Sequence, residues 1–450
     1  MKILFRTLLP LLASAAVLLS AATAQIAQGV TRTKVHGIDV LAYKTGVKDV
    51  VYLRGSLPAG DDKSPANNTM VATLTGAMLD RGTAKQDKFA IAGQLEAVGA
   101  SIDFSVGETV LSFTARCLSK DVPLVITLLA EQLREPAFSE EELTKLKQQI
   151  AGGLQRQLEN TDFRAADEFN RSLYPVGHPN RHPSVEQQLA DLKAATVEDL
   201  RKFHAEHYGP AHFTIVAAGD IDVGAVREQL TASFAGWTGG TAPLKAGRAT
   251  PTDAAKEQTV FMPGKTSVSI VMGQTSGMRY GDPDYFALRT GTAILGSGFT
   301  GRLMANVRDK EGLTYGIGST MANDVFNDGD WRLTATFAPN LLEQGIASTR
   351  RQLTAWYEKG VTAEELARRK ENLVGSFKVG LATTDGLAQS LLLSVQRGKG
   401  PEWLDQYPEV IKGLTLDQVN GAIRKHLNPS EMYLIKAGTV PVPVASPAKK

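Results

Sequence analysis

Seven histidines, one cysteine and a glycine-rich turn are the places in this 450-residue chain where metal, nucleophilic or phosphate chemistry could reside. Two histidine pairs have ligand-like spacing. His178 and His182 stand four apart, but Pro179 and Pro183 exclude the regular helix that would bring both rings to one face. His204 and His207 stand three apart on a predicted helix, with Glu206 between them. Phe203 sits where a His-x-x-Glu-His motif would carry its first histidine, so solvated or capping rings are expected. His36, His212 and His426 stand alone. Cys117 ends an alternating run, Leu111-Ser112-Phe113-Thr114-Ala115-Arg116, and reads as a buried strand residue rather than a reactive thiol. The run Gly296-Ser297-Gly298-Phe299-Thr300-Gly301 lacks the following Gly-Lys-Ser/Thr of a phosphate loop. Neither Ser297 nor Ser56 has the strand-to-helix context of a nucleophilic elbow. If the chain were an enzyme by itself, His204, Glu206 and His207 would be its best residues.

The elements that must position such groups come in two copies. Residues 1–24 read as a secretory signal peptide: Lys2 and Arg6, an apolar run over 8–19, and Ala22-Thr23-Ala24 before Gln25. No cysteine follows that run, so an exported, periplasmic protein without a lipid anchor or membrane span is expected. Of 49 basic and 47 acidic residues, Lys2 and Arg6 lie in the leader, so the remainder is balanced and offers no basic surface for nucleic acid. Hydrophobic residues at 43% and charged residues at 21% suit globular domains.

Thr196, Pro210 and Gly219 recur as Thr415, Pro429 and Gly438, each 219 residues later, in similar surroundings. Ser139-Glu140-Glu141-Glu142-Leu143 recurs as Thr362-Ala363-Glu364-Glu365-Leu366, 223 residues later. The chain therefore reads as a tandem duplication. Each half predicts a strand (50–55; 268–273), a helix (68–79; 285–295), then alternating strands (100–117; 331–337). Helices follow at 123–134 and 140–158 in one half, and at 341–358 and 364–379 in the other. A further short helix starts at Thr196 or Thr415, and an apolar strand closes each half. The expected fold class is α+β: two homologous α/β sandwich domains, each an antiparallel sheet with helices on one face. Their expected limits are 31–236 and 257–439, joined by a linker at 237–256 and followed by a tail at 440–450 expected to be disordered.

Thr73-Leu74-Thr75-Gly76-Ala77-Met78-Leu79-Asp80-Arg81-Gly82-Thr83 resembles the active-site helix of the pitrilysin and mitochondrial-processing-peptidase family of zinc peptidases. There the segment reads His-x-x-Glu-His, then apolar residues, then Gly-Thr, with two histidines on zinc and the glutamate as general base. Here Thr73, Gly76 and Ala77 occupy the three chemical positions, and the helix 140–158 has no carboxylate between Glu142 and Glu159 to act as the third ligand. The resemblance thus implies a member without the zinc motif, whose own chain holds no metal. The second-half segment 294–319 is similar to the family's C-terminal signature: a glycine-rich turn, Arg302-Leu303, then Arg308 and Gly312-Leu313-Thr314-Tyr315. In catalytic members an arginine and a tyrosine at this spacing project onto the substrate, a role that Arg308 and Tyr315 would inherit. A phenol can donate to a tetrahedral oxyanion and a guanidinium can orient peptide carbonyls. Gly296, Ser297 and Gly298 would either touch substrate backbone or form a tight packing turn. The family fold implies two halves facing each other like a clamshell around a peptide chamber. These readings imply the non-catalytic subunit of an exported heterodimeric zinc peptidase acting on unfolded peptides, with zinc and base supplied by a His-x-x-Glu-His partner. The alternative is a peptide-binding or scaffold protein that keeps the frame without catalysis.

Overall fold

A computed structural model describes residues 25–244, 249, 252, 254 and 256–440. The expected signal peptide, much of the expected linker and the tail beyond Val440 lie outside the described residues. The first half contains β1 (Val30–Val35), β2 (Ile38–Lys44), β3 (Val50–Leu57), β4 (Ser101–Val106), β5 (Leu111–Leu118) and β6 (Thr214–Gly219). The second contains β7 (Glu257–Phe261), β8 (Val268–Thr275), β9 (Thr314–Ala322), β10 (Asp330–Phe337) and β11 (Tyr433–Gly438). The first sheet runs β1-β2-β6-β3-β5-β4 and the second β7-β11-β8-β10-β9. With β1 set aside, the two orders are the same. Each sheet is antiparallel except for one parallel pair, β2 with β6 and β7 with β11, because the closing strand of each half returns beside its opening strand. The copies agree down to one backbone angle: Gly219 and Gly438 end the closing strands at φ +143° and +142°. A Cβ at either would stand under 3 Å from a neighbouring carbonyl, so only glycine fits.

One face of each sheet is covered by helices of its own half. Val122–Arg134 packs with the Val51, Leu53, Phe113 and Ala115 face, and Leu342–Lys359 with the Ile270, Trp331 and Leu333 face. The opposite face is covered from across the molecule. Helix Thr161–Leu173 places Ala165, Phe169 and Leu173 on Val271, Ile435 and Ala437 of the second sheet. Its copy, Thr384–Gln396, begins 223 residues later and places Leu387, Ala388, Leu391 and Leu392 on Leu41, Val216 and Ala218 of the first sheet. The expected single helical face thus describes each half's own contribution, and the exchanged helices complete the other. β6 is buried at every residue for this reason. Polar contacts flank the exchange: Arg54 reaches Asp385 at 2.8 Å and Gln389 at 2.6 Å, while Tyr174 donates to Asp330 at 3.0 Å. The two exchanged helices tie the halves together along this seam.

Candidate functional site

The zinc-motif positions lie on the short helix Val71–Ala77, against β4, β5 and helix Val197–His207. Thr73 donates through Oγ1 to Asp61 at 2.8 Å. Gly76 is buried, and a Cβ there would stand 2.3 Å from Val106 Cγ2 and 3.0 Å from Leu111 Cδ1. Ala77 packs with the apolar cluster that includes Leu143, Leu146 and Leu154 of helix Glu140–Leu158. On that helix the carboxamide of Gln149 accepts from Arg81 at 3.0 Å. The donor set does not fit zinc: one hydroxyl is engaged and two positions have no donor atom. The base position has no room even for a methyl group. Among the described residues no group of three or more His, Cys, Asp or Glu is placed to hold a metal ion.

The histidine pairs do not converge either. His178 stacks on Tyr174, centroids 4.7 Å apart, with its Nε2 3.7 Å from Asp328. Burial opposes ionisation of Asp328, yet His178, the Ala249 amide and Arg279 hold its carboxyl well below the usual carboxylate range. His182 instead faces Glu108 at 3.5 Å. His204 meets the Leu133 carbonyl in the last turn of helix Val122–Arg134 at 2.8 Å, a capping contact of the kind expected, while His207 is buried and meets the Thr241 hydroxyl at 3.2 Å. Cys117 is buried as expected, and burial pushes its thiol up to about 12.

The second-half signature forms a coherent surface. Helix Tyr285–Gly296 ends where Gly296 is pressed against β9, since a Cβ there would stand 2.3 Å from the Ser319 nitrogen. Gly296 is thus a packing glycine, whereas Ser297 and the left-handed Gly298 (φ +70°) are exposed. Arg369 fixes the turn by donating to the Ser297 carbonyl at 3.0 Å, and Arg302 is held by Glu365 at 2.6 Å. A π-helical segment, Met304–Lys310, carries Arg308 towards the start of β9, an edge strand of its sheet. The Arg308 guanidinium lies 5.4 Å from the ring centroids of both Phe299 and Tyr315. Glu311, three residues beyond Arg308, is bound by Ser348 at 2.8 Å and Arg351 at 2.9 Å. Tyr315 is 89% exposed and Phe299 75% exposed. Sequence reasoning missed Phe299, although an aromatic inside a glycine-rich turn was a visible signal.

Two family models match the chain: Insulinase (Peptidase family M16) over residues 40–175 and the Peptidase M16 inactive domain over 194–373. The chain belongs to peptidase family M16. Its M16 fold is similar to the crystal structure of a peptidase M16 inactive domain from Pseudomonas fluorescens, at TM-score 0.82 and 26% identity, covering 92% of this chain and 98% of that one. It is 27% identical to an uncharacterized zinc protease of Streptomyces coelicolor over 72% of this chain and 71% of that protein. It is 21% identical to a protein of Helicobacter pylori named non-peptidase homolog YmxG, over 83% and 85% of the two chains. These likenesses and the filled zinc position agree on an M16 member that lacks the zinc motif.

Proposed function

We propose that this M16 chain is the non-catalytic subunit of an exported, periplasmic heterodimeric zinc peptidase, and that it presents Arg308 and Tyr315 to the active site of its partner. The carrying observation is an asymmetry within the chain. The zinc-helix position is filled by Val106 and Leu111, while in the other half Tyr315 is exposed on an edge strand beside the half-buried Arg308 of the π-helical segment. On this reading zinc and the general base belong to a His-x-x-Glu-His partner. The Tyr315 hydroxyl donates to the oxyanion of the attacked peptide carbonyl, and Arg308 orients neighbouring carbonyls. Ser297 and Gly298 line the approach of an unfolded peptide, with Gly296 setting the turn.

The test is cleavage of an unfolded quenched-fluorescent peptide by this chain, by a His-x-x-Glu-His relative from the same organism, and by the mixture. Turnover should appear only in the mixture and be abolished by chelator. Tyr315→Phe should lower it about a hundredfold, the usual order for a lost oxyanion donor. Turnover by this chain alone would refute the proposal. The scaffold reading draws support from the name of the Helicobacter pylori relative. It expects no gain on mixing, and peptide binding that Tyr315→Phe leaves intact.

A further inference from the structure

The duplication shows what one surface of the first half does and its copy in the second does not. In the first half, β6 is followed by helix Val223–Ser233, which packs back over helix Val122–Arg134. Gln229 donates to Thr127 Oγ1 at 3.0 Å, and Arg134 donates to the carbonyls of Ser233 and Ala235. Beyond the helix, Phe234 and Trp237 close on Phe213, with ring centroids 6.1 and 5.9 Å from it. The chain then crosses over Ala211, whose amide donates to Gly239.

Helix Leu342–Lys359 starts 220 residues after helix Val122–Arg134, and the closing strands stand 219 apart, so Ala130, Arg134 and Phe213 become Arg350, Thr354 and Met432. Among the described residues β11 is followed only by Thr439 and Val440, so no helix takes the seat that Val223–Ser233 fills in the first half. Val440 packs against the second core as Ile221, its counterpart, packs within the first. The vacated seat is a cavity of about 520 Å³, and Arg350, Thr354 and Met432 all line it. Its floor is apolar and buried, with Leu353 and Leu434 beside Met432. Its rim holds donors, the Arg350 guanidinium and the Tyr357 hydroxyl, and the volume lies within the range of ligand sites.

We propose that this cavity is a docking site for a peptide segment of a partner protein that presents two aromatic side chains three residues apart. Phe234 and Trp237 show that arrangement on the copy of the same surface. The rings fill the apolar floor. Arg350 and Tyr357 take backbone carbonyls of the segment, as Arg134 takes those of Ser233 and Ala235 in the first half. The inference stands apart from the Arg308–Tyr315 surface and does not depend on the proposed peptidase role.

The probe is fluorescein-labelled acetyl-Phe-Ala-Gly-Trp-amide, which carries the sequence of residues 234–237, titrated with the full mature chain and followed by anisotropy. The expected result is saturable binding that is lost with an Ala-Ala-Gly-Ala control. Thr354→Trp, on the exposed side of the lining helix, should fill the cavity and abolish binding while leaving the unfolding temperature unchanged. Arg350→Ala should weaken binding about tenfold through loss of charge-assisted hydrogen bonds. Absence of saturable binding up to millimolar chain would overturn the proposal, as would binding that both variants leave intact. A chain lacking residues 441–450 is titrated in parallel, with unchanged affinity expected. A tenfold gain on removal would assign the cavity to the chain's own terminal segment and overturn a partner site.

Discussion

A Cβ at position 76 would overlap the Val106 methyl and touch Leu111, so the former base position is occupied by packing. Gly76→Ala should cost about 1–3 kcal/mol by overpacking, and Gly76→Glu more because it also buries a charge. Urea denaturation should register both as a lower midpoint with little change of slope. A Thr73→His, Gly76→Glu, Ala77→His triple variant should therefore gain neither zinc binding nor peptidase activity. A second residue, Asp62, carries a pH effect. Both of its carboxylate oxygens are buried without a hydrogen-bond partner among the described residues, and burial pushes its pKa up to about 6. The folded state therefore holds this proton more tightly than the unfolded state does. The associated stability is present at low pH and is lost as pH rises from about 4 through 6. Asp62→Asn should stabilise the protein at pH 8, on the order of 1 kcal/mol once solvent screening is allowed for, and have little effect near pH 4. A larger gain at pH 4 than at pH 8 would contradict this assignment.

Among the elements, those set by local chemistry were legible in the sequence. Thr196 and Thr415 form capping boxes with Asp199 and Gln418 at the expected starts, and helix Glu140–Leu158 matches its expected limits. The site was legible to the same depth: the vacated motif could be read from Gly76 and Ala77, but the Val106 side chain that fills it comes from β4, and no spacing connects the two. The π-helical turn under Arg308 was hidden for a similar reason, since its sequence also suits an ordinary helix. The destination of helix Thr161–Leu173 was hidden too, because its apolar stripe does not say which sheet it will cover. That destination predicts a specific energetic effect. Leu391 is fully buried against the first sheet although it belongs to the second half. Leu391→Ala should cost about 2–5 kcal/mol and lower the unfolding of both halves together. Two calorimetric transitions, with only the second half shifted, would show that the exchange contributes little.

Taken as a whole molecule, the chain is two copies of one design, each completed by the other. Two apolar clusters bridge the halves, one built on Phe169, Tyr174 and Ile435, the other on Val216, Leu387 and Leu391. Neither half should fold cleanly alone. A fragment of residues 25–236 should bind a hydrophobic dye and aggregate, and recover when a fragment carrying 257–440 is added; a soluble, cooperatively melting 25–236 fragment would argue against this. The arrangement also sets a timetable for synthesis. Val216 leaves the ribosome about 170 residues ahead of Leu387, which at the usual 5–20 residues per second is a wait of roughly 10 to 35 s. Throughout that wait one face of the first sheet has no cover. A nascent chain of this kind cannot complete its first domain until the helix that seals it has been made.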